Sequence, residues 1–238
     1  MLSIVMPAHN EIDLLGPSIR AVAAGLRAWQ RPFELLAVEN GSRDGTPALA
    51  TRLARDLPEL RVFTFPTADY GAALRTGILA ATGDIVVTFD VDYYDLGFLE
   101  QALALLECGP GPRRPDVVIA SKRAAGARDT RPWPRRVVTA VFATLLRIGF
   151  GLRVSDTHGM KVLRREAVEP LARRCRFRRD LFDTELILRT VRAGLVTAEL
   201  PVTVGELRPS RTPIWRRVPR TLLGLVRLRV ALWREPRR

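Results

Sequence analysis

The sequence predicts an α/β fold: a mostly parallel sheet flanked by helices, followed by a basic amphipathic C-terminal segment. Three observations predict it. Short apolar, β-branched runs alternate with helix-period segments through the first half, the rhythm of right-handed βαβ crossovers. Three of those runs end in polar clusters, and in such sheets ligands gather outside the carboxyl ends of the strands. The stretch Gly83-Asp84-Ile85-Val86-Val87-Thr88-Phe89-Asp90-Val91-Asp92 joins both features, a buried-strand run closed by two carboxylates.

Taken in order, Leu2–Met6 reads as a strand stopped by Pro7, and Ala8-His9-Asn10-Glu11 as a loop. Ile12, Leu15, Ile19, Val22 and Leu26 recur at helical spacing, with Asp13 near the start. Phe33–Val38 is a second strand running into the polar, Gly-rich turn Glu39–Thr46. Thr46 is the expected N-cap, and Pro47 the first position, of a helix reaching about Asp56. Leu60–Phe65 is the third strand, Gly71–Ala81 a small-residue helix able to pack closely on the sheet, and Ile85–Phe89 the fourth strand. Leu96–Glu107 is a helix, 109–115 a loop, Asp116–Ala120 a fifth strand and Ala124–Pro134 a polar, irregular loop. Arg135–Leu152 is an apolar helix with a basic start, Asp156–Leu163 a turn into a short strand, Phe182–Ala193 a helix and Leu195–Val204 a strand. Between Pro219 and Trp233, leucines and valines mix with Arg220, Arg227 and Arg229, the pattern of a helix lying on an anionic membrane surface. The expected organisation is one domain over 1–212 and a basic amphipathic segment over 213–238.

The 238 residues, 47% of them hydrophobic, can bury a real core, which argues against a disordered chain. The net charge of +13 is unevenly placed. Residues 1–110 hold 8 basic and 14 acidic side chains, net −6; residues 111–238 hold 30 and 11, net +19. Such a split points to an anionic partner for the second half. A nucleic-acid binder would also use a basic half, but no nucleic-acid motif is present and few aromatics interleave with the basic residues, so no nucleic acid is expected. Cys108 and Cys175 are too few for a disulfide framework, which makes a reducing, cytoplasmic compartment the expectation. No signal-peptide pattern opens the chain, and the best apolar run, Val137–Leu152, is short for a bilayer span and interrupted by Arg147.

Side chains alternate along a strand, so Asp90 and Asp92 point the same way where the strand ends. Two neighbouring carboxylates are costly unless a positive charge lies between them, and a divalent metal carrying a diphosphate supplies one. An acidic turn is the plainer alternative. The polar clusters His9–Glu11, Glu39–Asp44 and Asp90–Asp92 all fall at strand carboxyl ends, which places them in one site.

The segments Ile4–Glu11, Val38–Thr46, Gly71 through Asp84, and Asp90-Val91-Asp92 together resemble family 2 glycosyltransferases of the GT-A fold in order and spacing. In the second half, Asp156-Thr157-His158-Gly159-Met160-Lys161, Phe182-Asp183-Thr184-Glu185-Leu186, Ala193-Gly194 and Glu199-Leu200-Pro201-Val202 resemble the branch that glycosylates polyprenyl phosphates, typified by dolichol-phosphate mannosyltransferase and dolichyl-phosphate glucosyltransferase. The resemblance spans roughly residues 2–212. It implies a nucleotide-sugar donor of the GDP-mannose or UDP-glucose type, a polyprenyl phosphate acceptor, Mg²⁺ or Mn²⁺, inversion at the sugar, and a peripheral position on the cytoplasmic face of the membrane. It further implies a nucleotide site from Pro7, Ala8, His9, Asn10, Glu11, Glu39, Asn40, Ser42, Asp44, Asp69, Asp90 and Val91. Asp90 and Asp92 become the metal ligands. Lys122, Arg123, Lys161, Arg208 and Arg211 become candidates for the acceptor phosphate, with Asp90, Asp92, Arg123 and Lys161 as the catalytic set. Arginine's planar fork suits phosphate, and a solvated basic face is the alternative for each. Of Asp183 and Glu185, two apart on one helix, one is read as site-facing and one as structural. The sequence departs from the family where His9 replaces a tyrosine, where Glu39-Asn40 replaces two aspartates, in Thr67–Gly71, and in Tyr93-Tyr94-Asp95, where water or Asp95 would complete a metal shell.

Overall fold

The computed structural model describes residues 1–109, 113–205 and 214–235. The elements are β1 (Leu2–Ala8), α1 (Leu15–Ala28), β2 (Phe33–Asn40), α2 (Thr46–Asp56), β3 (Leu60–Phe65), α3 (Tyr70–Ala80), β4 (Ile85–Thr88), α4 (Leu96–Cys108), β5 (Val117–Ser121) and β6 (Arg128–Asp129). There follow α5 (Trp133–Phe150), β7 (Lys161–Arg164), α6 (Arg165–Arg174), a 3₁₀ turn (Arg179–Leu181), α7 (Phe182–Arg192), β8 (Thr197–Pro201), β9 (Thr203–Val204) and α8 (Ile214–Arg234).

Seven strands form one sheet in the order β3-β2-β1-β4-β7-β5-β8. All neighbours are parallel except β7, which runs antiparallel to both β4 and β5. The carboxyl ends of β1, β2, β4 and β5 therefore share one edge, and β7 starts at that same edge. Lys161, its first residue, sits opposite Thr88 and Ile119. The alternation of each strand sends Ile4, Met6, Leu35 and Ala37 to a core with α1 and α4, and Val5, Leu36 and Val38 to a second core with α3, α7 and α8. No helix among the described residues is long and apolar enough to cross a membrane.

Several boundaries differ from the sequence reading. β1 runs through Pro7 to Ala8. Phe89 donates to the Val5 carbonyl, so Val5 and, two residues on, Pro7 face the β4 side, where the β4 ladder has already ended. The missing N–H of Pro7 thus breaks no ladder bond. Thr46 is not the N-cap of α2 but its first residue. Gly45 is the N-cap and offers no side chain; one residue earlier, Asp44 Oδ1 accepts from the Thr46 N–H at 2.9 Å. The polar loop after β5 contributes β6, which pairs with β9, so the expected strand 195–204 divides between two sheets. α6 escaped the sequence reading because Pro170 and a run of charges hide its buried pair Val168 and Ala172. In α8, Leu225, Leu228 and Leu232 are buried in the second core, so this helix is docked along one face.

The expected close approach of the small-residue helix α3 is present. A Cβ built on Gly77 would lie 2.1 Å from Val5 Cγ1 of β1. Intrinsic propensity favours alanine in a helix by roughly 1 kcal/mol, yet here overpacking dominates. Gly77→Ala is expected to lower stability by about 1–3 kcal/mol in urea denaturation; an unchanged or raised midpoint would refute the close packing.

Glu34 on β2 is buried and ties three elements together. It accepts from Ser3 Oγ at 2.7 Å, from the Thr82 N–H at 2.7 Å and from Arg61 Nη1 at 2.7 Å. Burial alone would raise its carboxyl, but these hydrogen bonds override it and hold the pKa at about 2. The group is ionised in the fold at pH values where the unfolded chain would bind a proton. Its stabilisation is complete above about 4.5 and is lost as pH falls toward about 2. Glu34→Gln should flatten the acid limb of the stability profile in that window, measured by denaturant unfolding at stepped pH; an acid limb as steep as the parent's would refute this.

Candidate active site

The first wall of the site is a pair of laced loops. After β1 the chain turns at Asn10, whose φ of 55° is a left-handed conformation that asparagine tolerates. Asn10 Oδ1 accepts from the Arg43 N–H at 2.8 Å, and the Asn10 N–H donates to Ser42 Oγ at 2.9 Å. The Glu11 N–H donates to Thr46 Oγ1 at 2.9 Å. Within the β2–α2 turn, Glu39 Oε1 accepts from the Ser42 N–H at 2.5 Å. A His9 ring nitrogen lies 2.8 Å from the Asn40 carbonyl. Asn40 Oδ1 accepts from the Asp69 N–H at 2.5 Å, which draws in the start of α3. Gly41, at φ 65°, leaves no room for a side chain: a Cβ there would meet Ala68 N at 2.5 Å.

The sequence-derived nucleotide residues Pro7, Ala8, His9, Asn10, Glu11, Glu39, Asn40, Ser42, Asp44 and Asp69 therefore come together at one edge. Their roles divide. Glu39 and Asn40, at 1% and 3% exposure, brace the turn from inside. Asp69 caps α3 through the Ala72 N–H and also accepts from the Arg179 N–H, both at 2.9 Å. His9, Asn10, Glu11, Ser42 and Asp44 keep partly open surface.

The second wall is the acidic edge. Asp90 and Tyr93 exchange two backbone hydrogen bonds, making a tight turn that carries Val91 and Asp92. Ser18 Oγ donates to the Val91 carbonyl at 2.7 Å and pins that turn to α1. Tyr70, at the start of α3, donates its hydroxyl to Asp90 Oδ1 at 2.8 Å. Burial pushes the Asp90 carboxyl up from its usual range, and Asp92 and Asp183 add to it, against the Tyr70 hydroxyl and the Lys161 ammonium. Burial, then Asp90 and Asp183, raise Tyr70 well above the ordinary phenol value, so it stays a neutral donor. Asp95 uses Oδ1 to cap α4, accepting from the Phe98 N–H at 3.0 Å. Tyr93 is pushed up to about 12, chiefly by burial and then by Asp95 and Asp156, and is a neutral phenol unsuited to metal ligation.

The third wall comes from the second half of the chain. Lys161 is 1% exposed; its Nζ lies 2.8 Å from Asp183 Oδ1 and donates to the Gly159 carbonyl at 2.8 Å. Lys122 Nζ lies 3.7 Å from Asp156 Oδ2, a buried atom with no hydrogen bond. Arg123 is exposed, its N–H held by Ser121 Oγ at 3.1 Å. Arg208 and Arg211 lie outside the described residues. Asp183 faces Lys161, whereas Glu185 is fully buried and accepts from the Arg176 and Phe177 N–H groups and from Arg189.

Sequence reading missed Tyr70, whose signal was its position beside Gly71 in a segment that departs from the family pattern. It also missed Asp156 as the partner of Lys122. The residues at the acidic edge fit a divalent ion. Asp90 and Asp92 offer hard oxygens, and beside the buried Asp90 the charges of Asp92 and Asp183 add a negative excess that a cation would relieve. Among the described residues no group of three His, Cys, Asp or Glu side chains is gathered for an ion.

Comparison with known proteins agrees with this architecture. The family model Glycosyl transferase family 2 matches residues 3–171. An uncharacterised glycosyltransferase of Mycobacterium tuberculosis is 33% identical over 214 residues, covering 90% of this chain and 89% of its own. The dolichyl-phosphate β-glucosyltransferase ALG5C of Trichomonas vaginalis is 27% identical over 220 residues, covering 88% of this chain and 65% of its own. Among solved structures, glucosyl-3-phosphoglycerate synthase of M. tuberculosis, in complex with Mn²⁺, UDP-glucose and phosphoglyceric acid, superposes with a TM-score of 0.66 at 22% identity, covering 96% of this chain and 79% of that one. That likeness shows a shared GT-A fold, and the family match over most of the chain shows the rest: this protein is a glycosyltransferase belonging to family 2.

Proposed function

We propose that the enzyme transfers a sugar from a nucleotide-sugar donor, of the GDP-mannose or UDP-glucose type, to a polyprenyl phosphate at a membrane surface. The observation that carries this reading is a pair of helices in the +19 half that expose apolar stripes among arginines. On α5, Trp133, Val137, Val141 and Ile148 are exposed beside Arg136 and Arg147; on α8, Leu223, Val226, Val230 and Trp233 are exposed beside Arg227 and Arg229. Arg229 lies over the Phe150 ring at 5.8 Å, so the two helices meet. Apolar stripes with flanking arginines suit the boundary of an anionic leaflet. The dolichyl-phosphate glucosyltransferase relative supports the same acceptor class.

In this reading the loops around Asn10, Ser42 and Asp44 hold the nucleoside, and Asp90 and Asp92 would hold a Mg²⁺ or Mn²⁺ ion. That ion would neutralise charge on the leaving nucleoside diphosphate. Lys122 and Arg123 receive the acceptor phosphate, while buried Lys161, paired with Asp183, moderates the negative field around Asp90. A phosphate monoester is already anionic at neutral pH, so no strong base is required. One of its oxygens bonds to the anomeric carbon as the bond from that carbon to the diphosphate oxygen breaks, in line and with inversion.

Asp92→Asn is expected to cut transfer by at least about a hundredfold with an unchanged circular dichroism spectrum; unaltered turnover would remove the metal role. Across a panel of nucleotide sugars with Mn²⁺ or Mg²⁺, turnover should require polyprenyl phosphate; equal transfer to a soluble acceptor would favour a non-lipid substrate. Because α8 buries Leu225, Leu228 and Leu232, the membrane contact is better tested by substitution than by truncation. Ile148→Glu combined with Trp233→Glu, both at exposed positions, should weaken binding to phosphatidylserine-containing vesicles about tenfold or more. Unchanged vesicle binding would place the contact elsewhere.

A further inference from the structure

The Tyr70 hydroxyl donates to Asp90 Oδ1 at 2.8 Å, and it reaches that atom from a different element. The start of α3 is held by more contacts than a helix N-terminus requires. Asp69 Oδ1 accepts from both the Ala72 and Arg179 N–H groups, and the Asp69 N–H is itself bound by Asn40 Oδ1 at 2.5 Å. Gly71 seals the contact: a Cβ there would lie 2.6 Å from Arg179 N and 2.7 Å from Phe182 Cβ. Arg179 itself adopts φ 54°, an unfavourable backbone for arginine that the packing on both sides maintains. On the far side, Gly224 of α8 abuts Leu181, where a Cβ would lie 2.1 Å from Cδ1. The phenol is thus set by α3, the 3₁₀ turn and α8 together, and the Asp90 backbone by its bridge to Tyr93.

We propose that Tyr70 is a positioning residue for the metal–diphosphate site, its hydroxyl occupying Asp90 Oδ1 so that the carboxylate is presented to the ion in one orientation. This rests on the reading of Asp90 and Asp92 as ligands given above. The physical basis is general. A carboxylate ligand with a fixed hydrogen-bond partner binds without first losing torsional freedom, and removing such a partner commonly costs 10–100-fold in metal affinity. The position is a tyrosine because the donor must span from the helix to the strand end.

Tyr70→Phe removes the hydroxyl and keeps the ring that packs on the core. The test measures Mn²⁺ affinity of the full chain by electron paramagnetic resonance, with UDP and separately GDP present, alongside nucleotide affinity without metal and the melting temperature. The expected result is an Mn²⁺ dissociation constant raised about tenfold or more, metal-free nucleotide binding unchanged, and a melting temperature within a few degrees of the parent. Unchanged Mn²⁺ affinity overturns the proposal. So does an equal loss of nucleotide binding with and without metal, which would make Tyr70 a contact of the nucleoside. Wild-type protein that binds no Mn²⁺ with either nucleotide would overturn the metal reading of Asp90 and Asp92 itself. Binding lost in Asp92→Asn but intact in Tyr70→Phe would overturn the role of Tyr70 alone.

Discussion

The buried ion pair between Lys161 and Asp183 is the constraint around which the acidic edge is built. Both side chains are almost fully buried, at 1% and 4% exposure, and their charged atoms are 2.8 Å apart. Burying either charge alone would be very costly, and removing one partner of such a pair typically costs about 3–5 kcal/mol. The pair joins the antiparallel strand β7 to helix α7, and it sets a positive charge within range of Asp90. Lys161 and the Tyr70 hydroxyl together oppose the negative charge that Asp92 and Asp183 add beside the buried Asp90. The reversal of β7 within an otherwise parallel sheet is what delivers this lysine to the ligand edge, because its first residue sits opposite the last residue of β4.

A second set of charges holds the C-terminal helix against the same half of the molecule. Arg189 donates to Glu185 at 2.9 Å and to both carboxylate oxygens of Glu235 at 2.7 and 3.0 Å. Glu185 in turn accepts the N–H groups of Arg176 and Phe177, just after α6. The last helix is therefore integral on one face and exposed on the other. Its buried leucines serve the core, while Leu223, Val226, Val230 and Trp233 face outward beside the stripe on α5. The amphipathic pattern read from the sequence is real, but it carries two apolar faces where a free surface helix would have one.

The fold class was legible because it depends on local pattern. The apolar runs of β1, β2 and β3 lie within their strands, that of β4 overruns its strand by Phe89 alone, and the intervening segments are helices. The loops that hold the site were legible for the same reason: side chains such as Asp44 and Asn10 reveal turn and cap chemistry within a few residues. What failed were places where the deciding contact is distant in sequence. Pro7 reads as a stop, yet the end of the neighbouring ladder lets the strand continue. Thr46 reads as a cap, yet it is the first helical residue and its hydroxyl accepts from the distant Glu11 N–H. α6 was obscured by its proline and its charges, and it becomes recognisable once Val168 and Ala172 are seen to enter the second core.

By itself the sequence determined the alternating α/β order, the strand-end placement of the acidic and polar clusters, and the charge split between halves. These follow from side-chain periodicity and composition, which need no partner to be read. Only the tertiary structure decided which atoms face one another. Tyr70 reaches Asp90 across 20 positions, Asp69 reaches Arg179 across 110, and Lys161 meets Asp183 through the reversal of one strand. Long-range hydrogen bonds and ion pairs depend on how the elements pack, and packing is set by the whole core at once.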